Sequence, residues 1–307
     1  MFQTTIHKTV RCKGIGLHSG KKVELTLRPA LEDTGILFCI ESASGSSFLT
    51  PNPALVVSTG LATTVGNGRE SVATVEHLLA AVRGLGIDNI RIDVQSGEVP
   101  IMDGSAAPFV YLLKQARLRR QAKLRRVLAV KREVLFEKDG RRIRATPYDG
   151  FLVDCAIDFP HPLIGRQHLA VDVRPETFER ELSRARTFGF LKEVEYLHAN
   201  GLALGGSLEN AVVLDDYGVV NDDGLRFEDE FVRHKALDFL GDMALMGQPL
   251  YGRFEVFAPG HRLNNEFLHH LAANAGQFLE ERVLRPEDSI RSSRPYTPRV
   301  EAIPAVA

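Results

Sequence analysis

Cysteine is scarce and odd in number, with only Cys12, Cys39 and Cys155 in the chain. Three scattered thiols make no disulfide framework and fit a reducing compartment. Net charge is nearly absent as well, at -1 over 307 residues, so the chain as a whole offers no basic footprint for nucleic acid. No run of about 18 apolar residues occurs. The opening MFQTTIHKTV lacks the apolar core of a signal peptide. These absences predict a cytoplasmic protein whose membrane contact, if any, is peripheral. What is present is an ordinary soluble composition, 44% hydrophobic and 25% charged, in a chain long enough for one large or two medium domains.

Composition marks two breaks. Residues 114–126 (KQARLRRQAKLRR) carry seven basic side chains and no acidic one. The usual fate of such a run is a solvated helix end and linker. The alternative is a patch that meets an anionic membrane, where each basic residue adds roughly 1 kcal/mol. Beyond about Arg285, Pro and Ser displace apolar periodicity, which predicts a poorly ordered tail over 286–307.

Between the ends, the chain reads twice in one order. SVATVEHLLAAVRGLG predicts an amphipathic helix, NIRIDV a strand, GEVPIMDGS a loop and APFVYLLKQA a second helix. Later, EDEFVRHKALDFLGDMALMG, GRFEVF, APGHRLNN and EFLHHLAANAGQFL repeat helix, strand, loop and helix. Val-x-His stands near the start of the first helix both times, at His77 and His234. A duplicated unit explains the order and the histidines together, although two amphipathic helices also resemble one another by chance. Alternating β-branched segments open each half, and Asp139-Gly140 is a hairpin turn signal. The expected class is α+β, each sheet covered by helices and the two helical layers facing each other.

The chemistry gathers on these helices. His234 and Asp238 are four apart, so one helical turn puts them on one face. With His77 they form a His/His/Asp set that suits zinc with a position left for water, and such a metal lowers the pKa of water from 15.7 to about 7. Glu76 is the adjacent carboxylate that could act as base. Singly, each residue has a blander reading as a core histidine or a surface carboxylate. The same set also holds Fe(II) in oxygenases. Asp242 continues the face of His234, among Phe231, Phe239 and Leu245, and buried charges need partners or metal. His261, in a Pro-Gly-His turn, becomes a cationic general acid if Asp242 bonds it, and otherwise is a surface loop histidine. Residues 186–216 are very apolar, with Phe188, Phe190 and Val213 among others, and read either as core or as the wall of an acyl groove.

At these positions the chain resembles a bacterial family, the zinc-dependent UDP-3-O-acyl-N-acetylglucosamine deacetylases. The resemblance is carried by GIGLHSG (14–20), TVEHLLAA (74–81), GLGIDNI (84–90), VPIMDGSAAPFV (99–110), RTFGF (186–190), DDGLRFEDEFVRHKALDFLGD (222–242) and GHRLNN (260–265). These blocks span about residues 1–280. The stretch 58–65 and the basic run depart from the family pattern.

The resemblance implies two β-α-α-β domains, 1–122 and 127–285, with the tail 286–307 outside them. It implies a β insert near 35–65 and a βαβ insert at about 187–213 that lines a passage for the acyl chain. His77, His234 and Asp238 become zinc ligands, with Fe2+ an alternative metal in the cell. Glu76 becomes the base, His261 the acid, Asp242 its support and Thr187 an oxyanion donor. Lys235 falls on the substrate side. Leu17, Phe188, Phe190, Ala203, Gly206, Ser207, Ala211 and Val213 fall on the passage, and Phe159 is a candidate for nucleotide contact. The implied reaction removes the N-acetyl group of an acylated UDP-GlcNAc, releasing acetate in the committed step of lipid A synthesis, by a monomeric enzyme with no nucleic-acid partner. Rival readings are an Fe(II) oxygenase on the same ligands and a non-enzymatic lipid or nucleotide binding module.

Overall fold

A computed structural model describes residues 1–42 and 45–285, so the expected tail at 286–307 lies outside the described residues. The protein is α+β, built on two principal sheets. The first runs in the order 10–15, 22–29, 90–95, 36–42, 45–49. Its neighbours are antiparallel except for 36–42 against 90–95, which are parallel. In the second sheet, strands 134–138, 141–146, 250–257, 151–159 and 165–172 follow one another with the same senses, 151–159 and 250–257 being parallel, and 118–130 adds a short parallel contact to 250–257 at Leu128 and Ala129. Both halves therefore share one strand order, including the late strand inserted at the centre. The turn signal at 139–140 joins a hairpin, with φ of 49° at Asp139 and 73° at Gly140, the left-handed pair that such a two-residue turn requires.

Five helices accompany the sheets, and all but α3 contribute buried side chains to the core. In the first half they are α1 (Glu76–Gly84) and α2 (Ala107–Gln115). The second half has α3 (Leu191–Ala199), α4 (Glu230–Met243) and α5 (His261–Ala273). Helix α4 packs on strands 151–159 and 165–172, on α5, and across the middle on α1. Every residue of α1 except Arg83 is buried, so this helix is covered on nearly all sides and not on one face alone. The crossing of α1 and α4 is close because Gly241 has no side chain; a Cβ there would meet the carbonyl carbon of Glu76 at 2.8 Å. Phe109, Phe231, Phe239, Phe254 and Phe267 are fully buried around these layers.

Several sequence expectations change. Helix α1 starts at Glu76 and not at Ser71, because Ala73 pairs through its backbone with Gly97 and Val99 and is unavailable to a helix. His261 is the first residue of α5 and not a loop residue. Strands 36–42 and 45–49, expected in an insert at 35–65, belong to the first principal sheet; the small separate sheet is 56–58, 64–66 and 71–72. Most of the basic run is neither helix end nor linker. Residues 118–130 form one strand that pairs with 2–6 along its first part and with 279–284 along its second. Distant partners satisfy its backbone while Lys123, Arg125 and Arg126 pair with Asp33, Asp88 and Glu281. The segment 188–214 is a βαβ unit, strands 188–190 and 212–214 running parallel on either side of α3. All three cysteines are free, and Cys39 and Cys155 are buried.

Candidate metal and acid–base site

His77 sits in the first turn of α1, and His234 and Asp238 one turn apart on α4. Because α1 and α4 cross so closely, the three side chains converge, all buried, with ligand atoms within 4.8 Å of one another. The Oδ1 atom of Asp238 lies 3.5 Å from Nε2 of His77 and 3.3 Å from Nε2 of His234. That oxygen is buried and has no hydrogen-bond partner. An orphaned buried carboxylate oxygen between two imidazole nitrogens is costly unless a cation completes it. Atoms held at about 2.0–2.2 Å from one tetrahedral centre lie roughly 3.3–3.6 Å apart, so the spacing fits a metal ion.

The charge states suit that role. Burial pushes the His234 imidazole down to about 3, against the attraction of Asp238, so the ring is neutral. Its Nδ1–H donates to the carbonyl of Ala185 at 3.1 Å, leaving the Nε2 lone pair facing inward, as for a metal-bound histidine oriented from behind. Asp238 is held well below the usual carboxylate range: burial opposes its ionisation, but His234, Lys235 and His77 outweigh it. Lys235 donates to the other oxygen of Asp238 at 2.9 Å.

Beside this cluster lies an acid–base pair. Glu76 is buried at the start of α1, and burial raises its pKa against the pull of His261 and His77, toward the range useful for a base. Oε1 of Glu76 faces Nε2 of His261 at 3.6 Å. His261 Nδ1 is 2.8 Å from Oδ2 of Asp242, and the same oxygen accepts from Asn264 at 2.8 Å. Burial alone would lower the His261 pKa, but the carboxylates of Asp242, Glu76 and Asp238 raise it to about 10. A bound divalent cation would draw this value down.

Thr187 is held through its backbone, its N–H donating to Gly104 and its carbonyl accepting from Val212. It follows Arg186, whose buried guanidinium pairs with Glu230 at the start of α4. Phe188 stands next to the His77, His234 and Asp238 cluster, its ring 6.3 Å from that of His234, with Lys235 Nζ 5.4 Å from its centre. Phe159 and Phe190 join Phe188 in one aromatic group. Leu17, Ala203 and Gly206 gather a little apart, where the backbone of Leu17 accepts from Gly205 and that of Ala203 from Gly206. Ser207 and Ala211 share a turn after Gly206, and Val213 lies in the strand 212–214.

Three groups at the site escaped the sequence reading. Thr63 donates from its backbone to Glu76 and from its hydroxyl to Asp242, but it comes from the stretch that departs from the family pattern. Asn264 lies three residues after His261, a helical spacing hidden by reading that segment as a loop. His18, whose backbone donates to Glu98 at 2.8 Å, has its pKa lowered by burial, with a smaller contribution from nearby His261.

A family model described as UDP-3-O-acyl N-acetylglycosamine deacetylase matches residues 3–273. A protein named UDP-3-O-acyl-N-acetylglucosamine deacetylase from Nitratidesulfovibrio vulgaris is 62% identical over 280 residues, 91% of each chain. One of the same name from Oleidesulfovibrio alaskensis is 58% identical over 305 residues, 99% of this chain and 98% of its own. A third, from Lawsonia intracellularis, is 53% identical over 271 residues, 88% of this chain and 89% of its own. With matches of this length and identity, the chain belongs to the UDP-3-O-acyl-N-acetylglucosamine deacetylase family.

Proposed function

We propose that the protein hydrolyses the 2-acetamido group of a UDP-3-O-acyl-N-acetylglucosamine, releasing acetate, as the committed step of lipid A synthesis. The observation that carries this reading is the pair formed by buried Glu76 and partly buried His261, facing each other at 3.6 Å beside the His77, His234 and Asp238 set. Those three residues would hold zinc, or Fe2+ in its place in the cell, and the metal supplies a lowered water pKa and polarisation of the amide carbonyl. Glu76 takes a proton from the attacking water as its oxygen bonds to the carbonyl carbon. Thr187 offers its hydroxyl to the developing oxyanion. His261 carries a proton at Nε2, which passes to the amine nitrogen as the C–N bond breaks, and acetate departs. Lys235 neutralises the rear oxygen of Asp238 and faces substrate.

The aromatic group of Phe159, Phe188 and Phe190 flanks the cluster, with Phe159 the nucleotide-side candidate. Leu17, Ala203, Gly206, Ser207, Ala211 and Val213 mark the acyl passage beyond it. Division into domains 1–122 and 127–285, a monomeric state and a cytoplasmic location complete the reading. Among the described residues no helix is long and apolar enough to cross a membrane. Peripheral contact through 114–126 would fall to Arg117, Arg119 and Arg120, since Lys114, Lys123, Arg125 and Arg126 are ion-paired.

The test is acetate release from a UDP-linked 3-O-acyl-GlcNAc. A strong chelator should abolish turnover and added zinc restore it, and Glu76→Gln should keep the metal while losing about 10²–10⁴ in rate. Oxygen consumption with no acetate, or binding with no metal-dependent turnover, would overturn the assignment.

A further inference from the structure

Thr63 commits all three of its polar groups around the acid–base pair and is 1% exposed. Its carbonyl accepts from the N–H of Val75, the residue preceding α1. Its N–H donates to Oε2 of Glu76 at 3.1 Å, and its hydroxyl donates to Oδ1 of Asp242 at 2.6 Å. Thr63 and Glu76 belong to the first half of the chain, whereas Asp242 and His261 belong to the second. One side chain therefore spans the interface and reaches the carboxylate that holds His261.

Which oxygens it holds matters. Thr63 takes the far oxygen of each carboxylate, leaving Oε1 of Glu76 to face His261 Nε2 and Oδ2 of Asp242 to hold His261 Nδ1. The Glu76–His261 gap of 3.6 Å is beyond hydrogen-bond reach, although a carboxylate and an imidazolium attract strongly in a buried site. Collapse of that gap would make an internal ion pair in which the base is blocked by the acid. Two restraints oppose it, one directly on Glu76 and one on His261 through Asp242, and both lead to Thr63.

We propose that Thr63 is a positioning residue that holds the proton acceptor and the proton donor apart, so that water and the amide nitrogen, and not each other, are their partners. This rests on the roles given above to Glu76 and His261. The hydroxyl is the part open to substitution, because the N–H bond to Glu76 survives any change except to proline. Without the hydroxyl, Asp242 loses its partner on Oδ1, keeps only the bonds that Asn264 and His261 make to Oδ2, and can turn and carry His261 toward Glu76.

Full-length wild type, Thr63→Val, Thr63→Ala and Thr63→Ser are compared by steady-state kinetics, zinc content and the ¹H–¹⁵N imidazole resonances of His261 in metal-free protein. Val and Ala should lower kcat by about 10–100-fold, the cost expected of a misplacement approaching 1 Å. KM should stay within about two-fold, with zinc content unchanged. Ser should keep most of the rate, and the His261 Nδ1 proton should shift in Val and Ala but not in Ser. If Val fails to fold, the Ala protein carries the same expectation without added shape. A Val or Ala protein with wild-type kcat, a Ser protein as slow as Val, or an unmoved His261 resonance would each overturn the assignment. Failure of the wild type to release acetate would refute the proposed reaction instead, and the resonance measurement would still decide whether Thr63 sets the His261 geometry.

Discussion

Replacing Gly241 by Ala sets two opposed effects against each other in the last turn of α4. By helix propensity alone, Gly to Ala in a helix interior is favourable by about 1 kcal/mol. At this position, however, the new Cβ would lie 2.8 Å from the carbonyl carbon and 3.0 Å from the Cα of Glu76, with its carbonyl oxygen nearer still, whereas ordinary contact begins at 3.4 Å. All three are backbone atoms, so no rotamer change relieves them, and α1 has to retreat from α4 by at least about 0.6 Å for carbon–carbon contact to become normal. Overpacking of this kind costs typically 1–3 kcal/mol, and a backbone-on-backbone clash belongs at the upper end, so the net expectation is about 2 kcal/mol of destabilisation. The same retreat carries His77 away from Asp238 and Glu76 away from His261. Zinc affinity should then fall by about 10–100-fold, as for other losses of support around a metal site. Urea denaturation of the metal-free protein reads the first effect, and competition with a chromophoric chelator the second. A Gly241→Ala protein as stable as wild type, with unchanged zinc affinity, would refute the view that this glycine sets the approach of the two helices.

Two other perturbations test the electrostatics. Because the His261 pKa rises on folding from an ordinary 6.5 to about 10, its contribution to stability is complete below pH 6.5 and is lost as pH climbs through about 10. Asp242→Asn removes the principal charge that opposes the effect of burial, so in metal-free protein the fall in urea midpoint between pH 6.5 and 10 should shrink; parallel curves for the two proteins would contradict this. Arg186→Met leaves Glu230, which is 0% exposed, without its guanidinium partner. Breaking a buried pair this way costs about 3–5 kcal/mol, and a loss under about 1 kcal/mol by urea denaturation would show that the bonds from the backbone of Arg186 and Arg226 suffice.

The parts of the site that follow helical periodicity were readable in the sequence. His234 and Asp238 share a face because four residues make one turn, and Asp242 continues it. Without the family resemblance, His77 can be placed opposite them only through the repeat of Val-x-His in two helices, a longer inference that the matching strand orders support. Thr63 could not be found this way: it lies between two short strands, and its partner Asp242 is 179 positions away, so no local period connects them. The basic segment is deceptive for a related reason. Its composition is that of a solvated linker, but its conformation is set by backbone pairing with the two ends of the described chain, 2–6 and 279–284, which composition does not encode. The bounds of the small sheet at 56–72 are hidden in the sequence because strands 36–42 and 45–49 look no different, locally, from strands of an insert.

The strand 118–130 bears on how Glu76 and His261 keep their spacing. Glu76, His77 and Thr63 come from the first half of the chain, and His234, Asp238, Asp242 and His261 from the second, so the site exists only where the halves meet. A flexible connection would let the halves rock and open the 3.6 Å gap between Glu76 and His261. Here the connection is paired to the N-terminal strand along its first part and to the C-terminal strand along its second, with α1 and α4 in backbone-close contact at Gly241. Bending the chain between the halves would break strand pairing, and sliding them would drive the two helices into each other. The gap is therefore fixed in the folded protein, and if Glu76 and His261 act in the roles proposed for them, the cost of holding them in register is met by folding and not at each turnover.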